Sequence, residues 1–520
     1  MLNIFKLFFP NKISFKSVNR EIDHTSISRE RFIDFLKILG ILFLIFNSHF
    51  LLKINQSYGE YNITNLSENY LSHQIYTWFT TGTSLFVFTM GFNNLIAWYS
   101  NVGREGSQWQ YLVDRTNSIL GPVIVWITSI TILLNAVYSY TDLPLYLTTS
   151  EDGVISSIEF VLWPMWLVTI YLVLVIFAPL TIYLHKKFPY LTVAILTLFT
   201  MLVDSYEFPL NFSYLKLLNY LFFWLLIHQL GYFFADGKIL LLKKNLIAFV
   251  FLSLLGYLFF KLEQNIYYLS MASYRLSIYN NEDPPTILYL VASLMTLFVL
   301  LYFKNFIEKK LNSKNIWRVV STIHSNIYTL FFWHLIVIYF VYTNNLSLYL
   351  SPLILLTFAI IFGNYERSLF KLSTNFIKRV TPLQPWPTPI KAKFSTSNFS
   401  LAWLSIVIIL LGIIHITLGG IGQNGYFTLR EFYFLRSSTY EAIGRILIGI
   451  LLLNITVRGL KYKKRVMFLA IVFFVSVLYS RHAIQEQVTQ FEYIFYISSS
   501  IYLIYLIVSN SNYRSFHKVK

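Results

Sequence analysis

The chain has 520 residues, 56% of them hydrophobic and 12% charged, with a formal net charge of +17 and a mean hydropathy of +0.57. So little polar surface cannot cover a soluble body of this size, and the chain needs lipid as solvent. The cations sit in short segments between apolar runs, not on a basic module interleaved with aromatic residues, which argues against nucleic acid as a partner; with no cysteine, disulfides, thiolate metal sites and cysteine nucleophiles are excluded.

Residues 1–30 open with MLNIFKLFFP. That apolar stretch is too short for a signal-peptide core and has no cleavage pattern after it, so the segment reads as a basic cytoplasmic tail. Apolar runs long enough to cross a bilayer then recur at about 33–52, 76–99, 117–138, 159–183, 190–205, 213–234, 245–260, 286–303, 319–342, 352–370, 401–421, 440–457, 465–481 and 492–508. They predict an all-α polytopic membrane protein. About ten spans fall in residues 31–372, and a Pro-rich basic stretch at 373–399, containing QPWPTPIKAK, reads as a cytoplasmic linker. About four additional transmembrane helices follow in 400–510, with a short tail at 511–520.

If the spans alternate, the loops divide into two sets. One set joins the N-terminal tail, the Arg104/Arg115 loop, Lys186 and Lys187, Lys238, Lys243 and Lys244, residues 304–318, 367–393 and 458–465, and the C-terminal tail; it holds most of the 41 Lys and Arg. The other set is poor in cations and carries Glu60, Asp142, Glu151 and Asp152. Because cations are retained on the cytoplasmic side, both termini are expected there, in a multi-pass protein of the cell membrane, inner or plasma.

Walker-type loops, dinucleotide fingerprints, HExxH and GxSxG are missing from the sequence, and no metal site is expected. The candidates are ionisable residues inside spans, which are costly in hydrocarbon. Lys37 lies a turn into the first span, three residues after Asp34, and taken alone it snorkels to the interface. His49 closes that span in DFLKILGILFLIFNSHF, and His334 lies in the ninth span, in SNIYTLFFWHLIVIYF. Either histidine could equally be a solvated or carbonyl-bonded side chain. Arg115, in YLVDRTNSILGP, is either an orientation anchor or a phosphate contact. His228, His324 and His415 read as structural. Trp163, Trp166 and Trp333 fit an interfacial belt.

The order of these segments resembles the acyltransferase 3 family of membrane acyltransferases over about residues 31–370. Asp34, Leu36, Lys37 and His49 fit its first span, with Lys37 where the family usually has Arg. Gly82, Phe86, Gly91 and Phe92 in TTGTSLFVFTMGF are similar to its second span, with Thr89 in place of a Ser. YLVDRTNSILGP resembles its RxxR-then-Pro loop, with Ser118 at the second Arg. LWPMWLVTIYLVLVIFAPL resembles its Trp-rich span ending in Pro, and SNIYTLFFWHL its late Ser-x-x-Tyr-then-His span.

The resemblance implies transfer of an acyl group, commonly acetyl, from an acyl-CoA co-substrate, with no bound cofactor, to a hydroxyl of a cell-envelope glycan or lipid-linked sugar. It implies His49 as base or acyl-carrying nucleophile and His334 as an orienting or second catalytic group, with Lys37 and Arg115 on the donor. Histidine titrates near neutral pH, which suits proton transfer. The cations then lie toward the cytoplasm and both histidines outward, so the donor reaches through the bundle or the acyl group is relayed. A transporter or flippase for a lipid-linked glycan is the rival reading, and it predicts paired Gly or Pro breaks near the midplane; Gly40 and Gly91 are single cases. An inactive family member serving as a membrane scaffold is a third. Residues 373–520 lie beyond the resemblance.

Overall fold

A backbone in hydrocarbon must satisfy its own hydrogen bonds, so apolar runs of about 20 residues fold as helices. The computed structural model describes residues 30–57, 60–65, 75–140, 146–149, 154–205, 218–239, 285–343, 350–359, 396–419, 439–457, 463–483 and 490–516, with isolated positions around 215–216, 250–256 and 346–369. In chain order these form α1 (Arg31–Leu51), β1 (Leu52–Ser57), β2 (Glu60–Asn65), a 3-10 turn (Ile75–Thr81), α2 (Gly82–Gly103) and α3 (Gln108–Tyr140). Then come β3 (Tyr146–Thr149), β4 (Val154–Ser156), α4 (Ser157–Leu162), α5 (Met165–Lys187), α6 (Pro189–Ser205) and α7 (Leu218–Ala235). The remainder are α8 (Ile287–Tyr302), α9 (Lys304–Leu311), α10 (Lys314–Ser325), α11 (Ile327–Thr343), α12 (Thr396–Gly419), α13 (Thr439–Val457), α14 (Lys463–Ala483) and α15 (Gln490–Phe516).

Four described helical stretches are long and apolar enough to cross a membrane: Arg31–His49, Gln108–Leu134, Phe160–Lys187 and Leu218–Ala235. Two bent pairs bring the number to six, α8 with α9 at 59° and α10 with α11 at 62°. The protein is therefore an all-α membrane protein in architecture, with one addition that the hydropathy pattern does not announce. The tail at 1–29, most of the span at 245–260 and most of the linker lie outside the described residues. Helix α12 begins at Thr396, inside the stretch read as linker.

The addition is a four-stranded sheet in the order β1-β2-β3-β4. β1 and β2 form an antiparallel hairpin with Ile54 opposite Ile63, β2 pairs with β3 in parallel, and β3 pairs with β4 antiparallel. The sheet thus joins the segment after the first span to the segment after the third, two segments that alternation assigns to one side. At the other end of α1, Arg31 Nη1 donates to the Leu311 carbonyl at 3.0 Å and Asp34 faces His324 at 3.4 Å. Lys304 there lies over the rings of Phe32 and Phe234, at 5.8 and 5.6 Å. Helix α1 consequently runs from a cationic end to a strand end.

The chain divides into two compact units: Met1–Ile96 with Trp126–Pro164 and Phe177–Leu369, and Ala97–Val125 with Met165–Ile176 and Phe370–Lys520. In the first, α1 approaches the start of α2 backbone to backbone at Gly40 and Gly82. A Cβ added at Gly40 would stand 2.6 Å from the Gly82 carbonyl oxygen, closer than packed atoms allow. Gly91 meets the α7 backbone at His228 and Gly231 in the same way. Both glycines lie inside unbroken helices, so they serve close packing and not the helix breaks a transporter would need. In the second unit Leu401, Ile408, Leu452, Met467, Phe474, Tyr496 and Leu503 form the apolar core. Arg445 is buried there against Glu441 and the Tyr496 hydroxyl, each at 2.5 Å. Asn117 and Asn454 exchange two amide hydrogen bonds, at 2.6 and 2.7 Å.

Candidate active site

Helix α1 ends in three consecutive polar residues, Asn47, Ser48 and His49, which are 3%, 5% and 2% exposed. Successive residues on a helix point about 100° apart, so burial of all three encloses a broad face of the helix end, while Phe46 in the same turn is 37% exposed. α11 packs beside it in the same direction. Near the cationic end Lys37 Nζ lies 5.3 Å from the centre of the Tyr328 ring, and at the strand end the Tyr342 hydroxyl donates to the Leu52 carbonyl at 2.9 Å.

Between these points the two predicted histidines come together. Their ring centroids are 6.4 Å apart and their planes 28° from parallel. His49 Nδ1 donates to the Ile45 carbonyl at 2.8 Å, a turn back on its own helix. That bond places the ring proton on Nδ1 and leaves a lone pair on Nε2. Nε2 is buried and has no hydrogen-bond partner among the described residues. His334 repeats the pattern: its Nδ1 donates to the Phe331 carbonyl at 2.5 Å, while its Nε2 lies 3.2 Å from Ser48 Oγ. Ser48 Oγ is also 3.1 Å from the Leu44 carbonyl oxygen.

Ser48 and Glu366 are additions that the sequence reading passes over. The Glu366 carboxylate is 3% exposed and accepts from Thr329 Oγ1 at 2.5 Å and from Trp333 Nε1 at 2.6 Å. It holds the α11 turn that precedes His334. A buried carboxylate in a span is costly unless bonded, and both of its oxygens are. Trp333, read as part of an interfacial belt, is 6% exposed and anchors this bond instead. On the other side of α11, Trp126 stacks on Phe332 with centroids 4.6 Å apart. A run of polar residues closing an apolar span, NSH, is the sequence signal that points to Ser48. Glu366 stands in a polar run, NYERS, near the end of the span placed at 352–370, where it passes for part of the basic segment that begins at Arg367.

Lys37 does not meet the histidines. It stands twelve residues before His49, about 18 Å along the helix. Arg115 belongs to the second unit, where its guanidinium lies 5.8 Å from the centre of the Tyr171 ring. The Arg115 carbonyl accepts from the Tyr171 hydroxyl at 2.9 Å and from Ser118 Oγ at 2.7 Å. Arg115 and Ser118 lie in helix α3 and not in the loop expected from the sequence, and Ser118, 2.9 Å from the Tyr171 hydroxyl, ties that helix to Tyr171 at the position where the resembling pattern has a second cation. His228, read as structural, is fully buried and bonded to Asn94 at 2.9 Å; His324 faces Asp34.

A family model described as an acyltransferase domain matches residues 30–364, more than half of the chain. The match runs through α1 and α11 and so contains Lys37, His49, Arg115 and His334. No match is found among curated proteins or solved structures.

Proposed function

The chain belongs to the acyltransferase 3 family, and from that premise we propose that it transfers an acyl group, acetyl first, from an acyl-CoA to a hydroxyl of a cell-envelope glycan or lipid-linked sugar. One observation carries the proposal. His49 Nε2 is a buried lone pair with no hydrogen-bond partner among the described residues, on a ring whose other nitrogen is already held by Ile45. An imidazole in that state is ready to take a proton from an incoming hydroxyl as its oxygen attacks the acyl carbonyl. Helix α1 enters the site from a cationic end, where Arg31 and Lys37 offer charge to donor phosphates, beside Lys304, which is paired with Glu308 at 2.8 Å. A donor bound at Lys37 has about 18 Å to cross before its carbonyl reaches His49, so an extended donor arm along α1 is part of the reading.

The transporter reading has less to draw on. Helices α1 and α2 run unbroken through Gly40 and Gly91, and the bends at Phe303 and Asn326 lie by Arg31 and Asp34, at one end of α1 and not beside the histidines. The test is transfer of labelled acetyl from acetyl-CoA to envelope glycan by membranes that contain the protein, against membranes that lack it. Equal labelling of the glycan in the two preparations would end the proposal.

A further inference from the structure

We infer that Ser48 carries the acyl group as an ester on its Oγ, with His334 as the base that activates it; this rests on the acyl-transfer reading above. A serine hydroxyl is a weak nucleophile until a base removes its proton and a third group holds that base in the right tautomer. All three parts are present. Ser48 Oγ lies 3.2 Å from His334 Nε2, and His334 Nδ1 is fixed by the Phe331 carbonyl at 2.5 Å. The hydroxyl hydrogen rotates between the Leu44 carbonyl, 3.1 Å away, and Nε2, so the resting bond to Leu44 does not block activation.

The second observation is the division between the two rings. Each has Nδ1 bonded to a backbone carbonyl and presents Nε2, but one Nε2 faces Ser48 while the other faces no described partner. Direct transfer needs one base. Two bases, one on an internal hydroxyl and one open, fit two half-reactions. Because Ser48 and His49 are neighbours at the end of α1, an ester on Ser48 is held next to the base that would activate the acceptor. The same arrangement answers how an acyl group passes from a donor entering at the cationic end to an acceptor outside.

In the first half-reaction Ser48 Oγ bonds to the thioester carbonyl carbon and its proton moves to His334 Nε2. The carbon–sulfur bond breaks and CoA leaves as the thiolate. In the second, the acceptor hydroxyl gives its proton to His49 Nε2 and its oxygen bonds to the ester carbonyl carbon. The bond to Ser48 Oγ breaks, and His334 returns to that oxygen the proton it held. His49 releases the acceptor proton to solvent, which matches the proton the thiolate takes up. Nothing is oxidised or reduced.

The experiment uses the purified full-length protein in lipid nanodiscs, with acetyl-CoA labelled in the acetyl group and no acceptor, quenched in acid and mapped by peptide mass spectrometry. Label is expected on Ser48, stable to acid and to neutral hydroxylamine and released by alkali, as for an oxygen ester. It is absent in Ser48→Ala and forms at least about 100-fold more slowly in His334→Ala. In His49→Ala it still forms but does not pass on to added glycan. Ser48→Cys gives the chain its only thiol, and the label should appear there as a hydroxylamine-sensitive thioester even if the alanine variant misfolds. Label on His49, or glycan acylation at the wild-type rate by a monodisperse Ser48→Ala, overturns the inference and leaves the acyltransferase standing. If wild-type protein releases no CoA thiol with or without glycan, the acyl-transfer reading falls and the inference with it.

Discussion

Replacing His49 by alanine removes the open Nε2 and little else, because the side chain's only described hydrogen bond is to a carbonyl of its own helix. The expected loss in transfer rate is about 10²- to 10⁴-fold, with unchanged amounts of protein in the membrane. Near wild-type transfer would mean that His49 only fills space. Arg115→Ala should act differently. A phosphate contact holds the donor in ground state and transition state alike, so KM for acetyl-CoA should rise several-fold while kcat changes little. A fall in kcat at constant KM would place Arg115 in the chemistry and not on the donor. His49 and His334 are legible in the sequence because ionisable residues in apolar runs stand out. Their contact is not, since 285 positions separate them and only the packing of α1 against α11 brings them together. Ser48 and Glu366 go unread for the same reason: each acquires its meaning from a partner on another helix.

At the scale of elements, α1 depends on glycine where it meets α2. The side chain of Gly40→Leu would have to displace the Gly82 carbonyl, so the helices must part. Overpacking of this kind costs about 1–3 kcal/mol. Thermal unfolding in detergent should show a clear drop, and transfer activity should fall with it, because Lys37 and His49 both ride on α1. Unaltered unfolding would show that α1 has room the packing does not suggest. Hydropathy finds helices of this kind well, since length and apolar content are local properties. It does not find their bends. The turn at Phe303 and that at Asn326 follow from how α9 and α10 lie against the start of α1, through Arg31 and Asp34. Nor does it find β1 to β4, which are short and whose two local pairs are joined through β2 and β3 across more than eighty residues.

For the whole molecule, the loop charges predict orientation, and the pairings within the first unit support the alternation behind it. A reporter fused after Asn312, in the turn that follows α9, should be active in the cytoplasm, and one inserted after Ser57 should be active outside. Activity of both on one side would break the alternation. The Pro-rich linker suggests that the last spans form a separate body, yet the first half of α3, up to Val125, shares a unit with them. Trp109 packs edge-on against Phe399 and Trp403, with centroids at 6.3 Å, and Asn117 is bonded to Asn454. Expression of residues 1–385 alone is therefore expected to give a less stable, aggregation-prone product, measured by size-exclusion profile and unfolding temperature beside the full chain. A fragment as stable and monodisperse as the whole would show that these contacts contribute nothing.

The order of strands in the small sheet also bears on how the protein is made. The β1–β2 hairpin is complete as soon as the second span is inserted, but β2 must wait for β3, which emerges only after α2 and α3 have been synthesised and threaded. During that interval the outer edge of β2 offers unmatched backbone donors and acceptors to any extended chain nearby. Pairing so distant in sequence is slow to form. Nascent chains halted between residues 65 and 146 are thus the stage of biogenesis most exposed to proteolysis and to mispairing with one another.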